Sequence, residues 1–117
     1  RKYENKKLDS LQIPKCEIFR NGTFKYNDGI NSETTIERNN ETQIEKDKNE
    51  TYKYNIEWTS PTNYVLTYIE VSEKESEYLL GEKIYVEIIE ILADGSYVYK
   101  SNLLDRTIVT GIIKRTN

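Results

Sequence analysis

The chain has 117 residues, 36% of them hydrophobic and 32% charged, with a net charge of −3, which is room for one domain around one core. Acids and bases are interspersed with no basic stripe, so nucleic acid is excluded as an expected partner. The absence of histidine removes the commonest general base and the commonest metal ligand.

Mean hydropathy is −0.79, which is polar for a folded domain. The apolar residues are nevertheless concentrated in runs of period two, rich in Ile, Val and Tyr, and that pattern marks strands rather than disorder. No apolar run is long enough to span a membrane as a helix. The sequence starts at Arg1 and contains no methionine, which reads as a processed or trimmed form and leaves open whether a signal peptide was removed.

Residues 1–15 are charged and aperiodic and read as a mobile tail, with one domain over 16–117. Strand signals begin near Ile18. Phe24 and Tyr26 alternate with Lys25, and Asn27, Asp28 and Gly29 supply turn chemistry. Thr34 to Arg38 forms a polar strand centred on Ile36. Asn39 and Asn40 make a tight turn into a short strand, Thr42 to Glu45.

The stretch YKYNIEWTSPTNYVLTYIEV, residues 52–71, organises the rest. Tyr52, Tyr54, Ile56 and Trp58 share one face, against Lys53, Asn55 and Glu57 on the other. Tyr64, Leu66 and Tyr68 share a face of the return strand. Pro61 suits the first turn position and Asn63 the left-handed closing position of a three-residue loop. That register sets Trp58 opposite Leu66 and Ile56 opposite Tyr68; a two-residue loop would set Trp58 opposite Val65 instead. The tryptophan is expected inside, because the charged face is the cheaper one to expose.

Ser72 and Glu75 fit a capping box, and Gly81 stands at a helix C′ position, which predicts one short helix over 73–80 that plugs an end of the sheet with Leu79 or Leu80. Ile84 to Leu92 is the most apolar strand, and its doubled Ile88–Ile89 signals a bulge. Asp94–Gly95 is the clearest hairpin turn. Tyr97 to Lys100 returns, Ser101 to Asp105 loops, and Thr107 to Lys114 closes the chain with a bend at Gly111. The predicted fold class is all-β: an antiparallel meander of about eight strands closing into a barrel with one short helix. A barrel of that size is either filled by side chains or holds one small ligand.

Two constellations stand out as candidate sites. Tyr52, Tyr54, Trp58, Tyr64 and Tyr68 form an aromatic face, readable as core or as the lining of a ligand cavity, with core preferred. Arg38, Gln43 and Glu45 could meet across the Asn39–Asn40 turn. There Arg38 could bind an anion, although a cross-strand pair that fixes register is the preferred reading. No catalytic residue, cofactor or metal is assigned. Scattered pairs such as Glu57 and Glu70 read as solvated surface, and the chain is expected not to be an enzyme. The lone Cys16 is expected as a free thiol.

Cys16 followed by Gly22-Thr23-Phe24, Arg38-Asn39 followed by Gln43 and Glu45, Trp58 followed by Tyr64, Leu66, Thr67 and Tyr68, and Gly81-x-Lys83 before IYVEIIEI together make an ordered set. Over Cys16 to Lys114 the chain resembles small secreted or envelope β-proteins of bacteria, lipocalin-like in architecture and without an assigned activity. In that pattern a second cysteine often lies in the turn after the tryptophan. Here the turn is Ser60-Pro61-Thr62-Asn63 and offers Cys16 no partner. The resemblance implies export to periplasm, envelope or medium. With it, the expected function is a non-enzymatic binding domain, favoured as a monomer, for a small apolar or amphiphilic ligand. The alternative is a structural or protein-interaction module with a filled barrel and no ligand.

Overall fold

The computed structural model describes residues 6–27, 33–102 and 107–116. The described chain is an antiparallel meander that closes into an eight-stranded barrel in sequence order. The strands are β1 (Gly22–Tyr26), β2 (Thr35–Arg38), β3 (Thr42–Lys46), β4 (Thr51–Ser60), β5 (Asn63–Val71), β6 (Lys83–Ile91), β7 (Tyr97–Asn102) and β8 (Ile108–Arg115). Closure is made by β1 against β8, where Phe24 pairs with Arg115 and Tyr26 with Ile113, so among the described strands each has a neighbour on both sides. No helix among the described residues is long and apolar enough to cross a membrane.

Alternation sets which side chains enter the barrel. Phe24, Ile36, Tyr54, Ile56, Tyr64, Leu66, Val86, Ile88, Tyr97, Tyr99 and Ile113 form the buried core. The doubled isoleucine of β6 is a bulge: the register shifts between Ile88 and Glu90, and both Ile88 and Ile89 are fully buried. The extra residue lets consecutive isoleucines each find a packed environment. The turn at Gly95 forms as expected, with Gly95 at φ 88° and Asp94 Oδ1 accepting from the Ser96 N–H at 2.9 Å. Gly111 serves clearance. It faces Tyr99 on the neighbouring strand, and a Cβ there would lie 2.6 Å from the Tyr99 hydroxyl oxygen.

The central hairpin departs from the expected register. Its turn is the two-residue Pro61–Thr62, flanked by paired Ser60 and Asn63, and the surplus residue is absorbed as an irregularity between Trp58 and Ser60. Trp58 therefore pairs with Tyr64, Ile56 with Leu66 and Tyr54 with Tyr68. The pairing slides by two residues from the expected one, so the faces survive while the partners change. Asn63 does not close the loop in a left-handed conformation. It is the first residue of β5, and its side-chain oxygen accepts from the Ser60 and Thr62 hydroxyls at 2.9 and 2.6 Å.

The segment before β1 also differs from expectation. Ile18 is not the start of a strand; Ile13–Arg20 is a 3-10 helix entered through Pro14. Three residues per turn stack Ile13, Cys16 and Phe19 on one side, and Cys16 and Phe19 are buried. Within the stretch expected as a tail, Ile13 to Lys15 belong to this helix and Leu8 packs against the core. Residues 1–5 lie outside the described residues, as do Asp28, Gly29 and the 103–105 part of the expected loop. Cys16 is a free thiol, and burial pushes its pKa up.

The helix expected over 73–80 is a 3-10 helix, Lys74–Leu79, with Leu79 buried and Leu80 exposed. Its capping box does not form. The flanking residue is Glu73, which makes no side-chain cap bond, and Ser72 Oγ instead accepts the Thr51 N–H at 2.9 Å. Gly81 does follow the helix at φ 87°, a conformation open to glycine without strain.

Candidate functional site: a half-filled barrel

In an up-and-down barrel the C-terminal ends of β1, β3, β5 and β7 lie beside the N-terminal ends of β2, β4, β6 and β8. That defines two ends. One is closed by short turns, 39–41, 61–62 and 92–96, and by the first 3-10 helix. Phe19 is the plug: its ring lies 4.6 Å from that of Tyr97, and its carbonyl accepts from Arg38 Nη1 at 2.8 Å.

At the opposite end the barrel is hollow. A cavity of about 510 Å³ is lined by Tyr26, Glu45, Tyr52, Tyr54, Leu66, Tyr68, Ile84, Val86, Tyr99, Val109 and Ile113, with Thr34, Asp47 and Ser101 completing it. Most of these residues sit toward the end of the barrel away from Phe19, and Ile113, the strand partner of Tyr97, forms the floor between the two halves. The volume is in the range of pockets that enclose small organic molecules, and the mix of many apolar and aromatic groups with a few polar ones is what such pockets show.

Between plug and cavity runs a buried polar chain. Arg38, Gln43 and Glu45 are 5%, 1% and 8% exposed, so this trio points into the barrel. Arg38 Nε donates to Gln43 Oε1 at 2.8 Å, and Gln43 Nε2 donates to Glu45 Oε2 at 2.7 Å. Tyr26 donates to the same carboxylate oxygen at 2.9 Å. Arg38 Nη2 donates to the Tyr64 hydroxyl at 3.4 Å, and Tyr64 and Tyr97 share a bond of 2.9 Å. Arg38 also stacks on the rings of Phe24 and Tyr64, at 4.8 and 4.9 Å. Arg38 and Gln43 are cross-strand partners, as are Ile36 and Glu45. The expected Arg–Glu pair is thus a three-member relay with glutamine in the middle.

The electrostatics follow from burial. Burial opposes the charge on Arg38, but the Tyr97 and Tyr64 phenol groups outweigh it and hold the guanidinium above its already high range. Burial raises the Glu45 carboxyl above the usual glutamate value; its bonds from Tyr26 and Gln43, then the charge of Arg38, pull it part of the way back. A carboxyl raised in the folded state keeps its proton to higher pH than in the unfolded chain, so ionising it costs stability. Stability contributed by the protonated form is present at low pH and is lost as pH rises through the raised native value. Glu45→Gln removes that loss. Its urea midpoint should exceed the wild-type midpoint by a margin that widens as pH is raised from about 4 to about 8. A margin that narrows would show that Glu45 is better solvated than this arrangement implies.

The aromatic candidates separate into two groups. Tyr52, Tyr54 and Tyr68 line the cavity, with ring centroids 5.8 Å apart for Tyr52–Tyr68 and 4.7 Å for Tyr54–Tyr68. Trp58 and Tyr64 belong to the closed half. Trp58 lies on the inner side, half-buried, 4.6 Å from the Tyr64 ring and under the Arg20 guanidinium at 4.8 Å. Of the polar trio only Glu45 reaches the cavity. Sequence reading missed Tyr26 and Tyr99, whose rings lie 6.1 Å apart. The usable signal was position: Tyr26 and Tyr68 each stand in the C-terminal half of an odd-numbered strand, which a meander gathers at one end, and Tyr99 is at mid-strand in β7.

Comparison with known protein families, curated proteins and solved structures gives no match.

Proposed function

We propose that this protein is a non-enzymatic binding domain that holds one small amphiphilic molecule in the open half of its barrel. The observation that carries the reading is the cavity of about 510 Å³, with phenol rings and aliphatic side chains for walls and Glu45 and Ser101 as buried polar groups. The other half is occupied by the buried side chains of Phe19, Phe24, Ile36, Tyr64, Ile88 and Tyr97. A protein with only a structural role gains nothing from leaving half its core unfilled, since lost packing costs stability. All of the cavity's lining residues come from one chain. The resemblance to secreted and envelope β-proteins supports an exported, lipocalin-like carrier. The alternative, a filled barrel serving as a structural or protein-interaction module, is favoured only by the packing of the closed half.

The test is titration with N-phenyl-1-naphthylamine, whose fluorescence rises in apolar surroundings. One saturable site per chain is expected. Ile84→Trp places an indole in the cavity and should weaken binding at least about ten-fold while the protein stays folded. Binding that is non-saturable, or indifferent to this substitution, would remove the cavity as the site.

A further inference from the structure

The charges around the cavity are one-sided. Its lining includes two carboxylates, Glu45 and Asp47, and among the described residues no lysine or arginine. Arg38, the buried cation nearby, is already committed to Gln43, the Phe19 carbonyl and Tyr64, and it is not part of the lining. An anionic head group would therefore meet carboxylates and find no cation to receive it. A neutral head group would leave the Glu45 carboxyl, held by Tyr26 and Gln43, without an opposite charge in the chamber.

A positively charged nitrogen answers both conditions. It supplies the opposite charge to Glu45, and phenol ring faces attract cations through their quadrupoles, the more so once water is excluded. The rings are arranged for this: Tyr54 and Tyr68 are tilted at 48° to one another and Tyr52 and Tyr68 at 79°, so their faces are presented from several directions. The approach is biased the same way. Of the connections at this end, the two described throughout, 47–50 and 72–82, carry Asp47, Glu50, Glu73, Glu75, Glu77 and Glu82 against Lys48 and Lys74, a local excess of negative charge that favours cations.

We infer that the cavity selects amphiphiles whose polar end is a cationic nitrogen, seated between Glu45 and the Tyr54 and Tyr68 rings, with the apolar body along Leu66, Ile84 and Val86. This rests on the reading of the cavity as a ligand site and assigns that ligand its chemical class.

Three probes with one tail separate the two ideas: octyltrimethylammonium, 1-octanol and octyl sulfate, titrated calorimetrically below their micelle-forming concentrations. The ammonium should bind at one site about ten-fold or more tightly than the alcohol, and the sulfate more weakly than either. Glu45→Gln should reduce the ammonium-to-alcohol ratio by about ten-fold, and Tyr68→Leu by several-fold, because each removes one of the two attractions. The second variant tests the ring contribution with the Glu45 carboxyl left in place. Equal binding of ammonium and alcohol, tighter binding of the sulfate, or a ratio unmoved by these substitutions would overturn the cationic preference and leave the cavity a ligand site. Binding of none of the three would overturn the ligand site itself.

Discussion

Arg38→Ala should cost about 3–5 kcal/mol of folding stability, the sum expected when several hydrogen bonds of a buried charged group are lost together. The guanidinium makes three hydrogen bonds, to Gln43, to the Phe19 carbonyl and to the Tyr64 hydroxyl, and stacks on Phe24. Its removal leaves the Gln43 oxygen and the Phe19 carbonyl buried without this donor, while Tyr64 keeps its bond with Tyr97, and each unsatisfied group carries a desolvation cost of roughly 1–3 kcal/mol. It also takes away the charge that partly offsets the burial of Glu45. Against a typical total of about 5–15 kcal/mol the variant sits at the edge of folding. Arg38→Lys should recover little, since an ammonium cannot reproduce a planar fork reaching three acceptors. Urea unfolding followed by fluorescence measures this. A loss below about 1 kcal/mol would mean that water replaces the guanidinium and that the interior is wetter than its burial indicates.

Phe19→Ala is the second large effect. The ring is 1% exposed and packs on Tyr97 at 4.6 Å, so truncation removes a buried aromatic and leaves a void beneath a helix too short to collapse into it. The expected cost is about 3–5 kcal/mol. The Phe19 carbonyl is also the acceptor for Arg38. The two substitutions should therefore be non-additive, with a coupling of about 0.5–3 kcal/mol in a double-mutant cycle. Additive losses would indicate that the plug and the polar relay act as separate units.

These two residues also mark where sequence reading ran out. The eight strands were legible because period-two patterning is strong in β4 to β8, and the bulge at Ile88–Ile89 and the turn at Asp94–Gly95 carry their own signatures. The helix at Ile13–Arg20 was not, because a three-residue period over eight residues resembles neither template sought. The β4–β5 register was misread by two because a tight turn plus a bulge imitates a longer turn in which residues share a face. That Arg38, Gln43 and Glu45 act together was legible from their spacing. That they point inward was not legible from β3 alone, since hydrophobicity there favours Ile44. The neighbour decides: Ile36 pairs with Glu45 and must be buried, and paired residues share a face. Division of the aromatic face between plug and cavity depends on which strand ends meet, which only the closed barrel establishes.

The central claim is that one half of this barrel is an occupied-by-design chamber and the other half a packed core. Protein carrying ring-labelled tyrosine, titrated with N-phenyl-1-naphthylamine and followed by nuclear magnetic resonance, tests it most directly. The rings of Tyr26, Tyr52, Tyr54, Tyr68 and Tyr99 line the cavity, Tyr64 and Tyr97 are sealed in the closed half, and Tyr85 is 54% exposed on the outer surface. The account predicts that the first five resonances shift together to one saturation point while those of Tyr64, Tyr97 and Tyr85 hold still. Movement of Tyr85 with the cavity tyrosines unchanged would contradict it, placing the probe on the outside of a barrel that encloses no ligand.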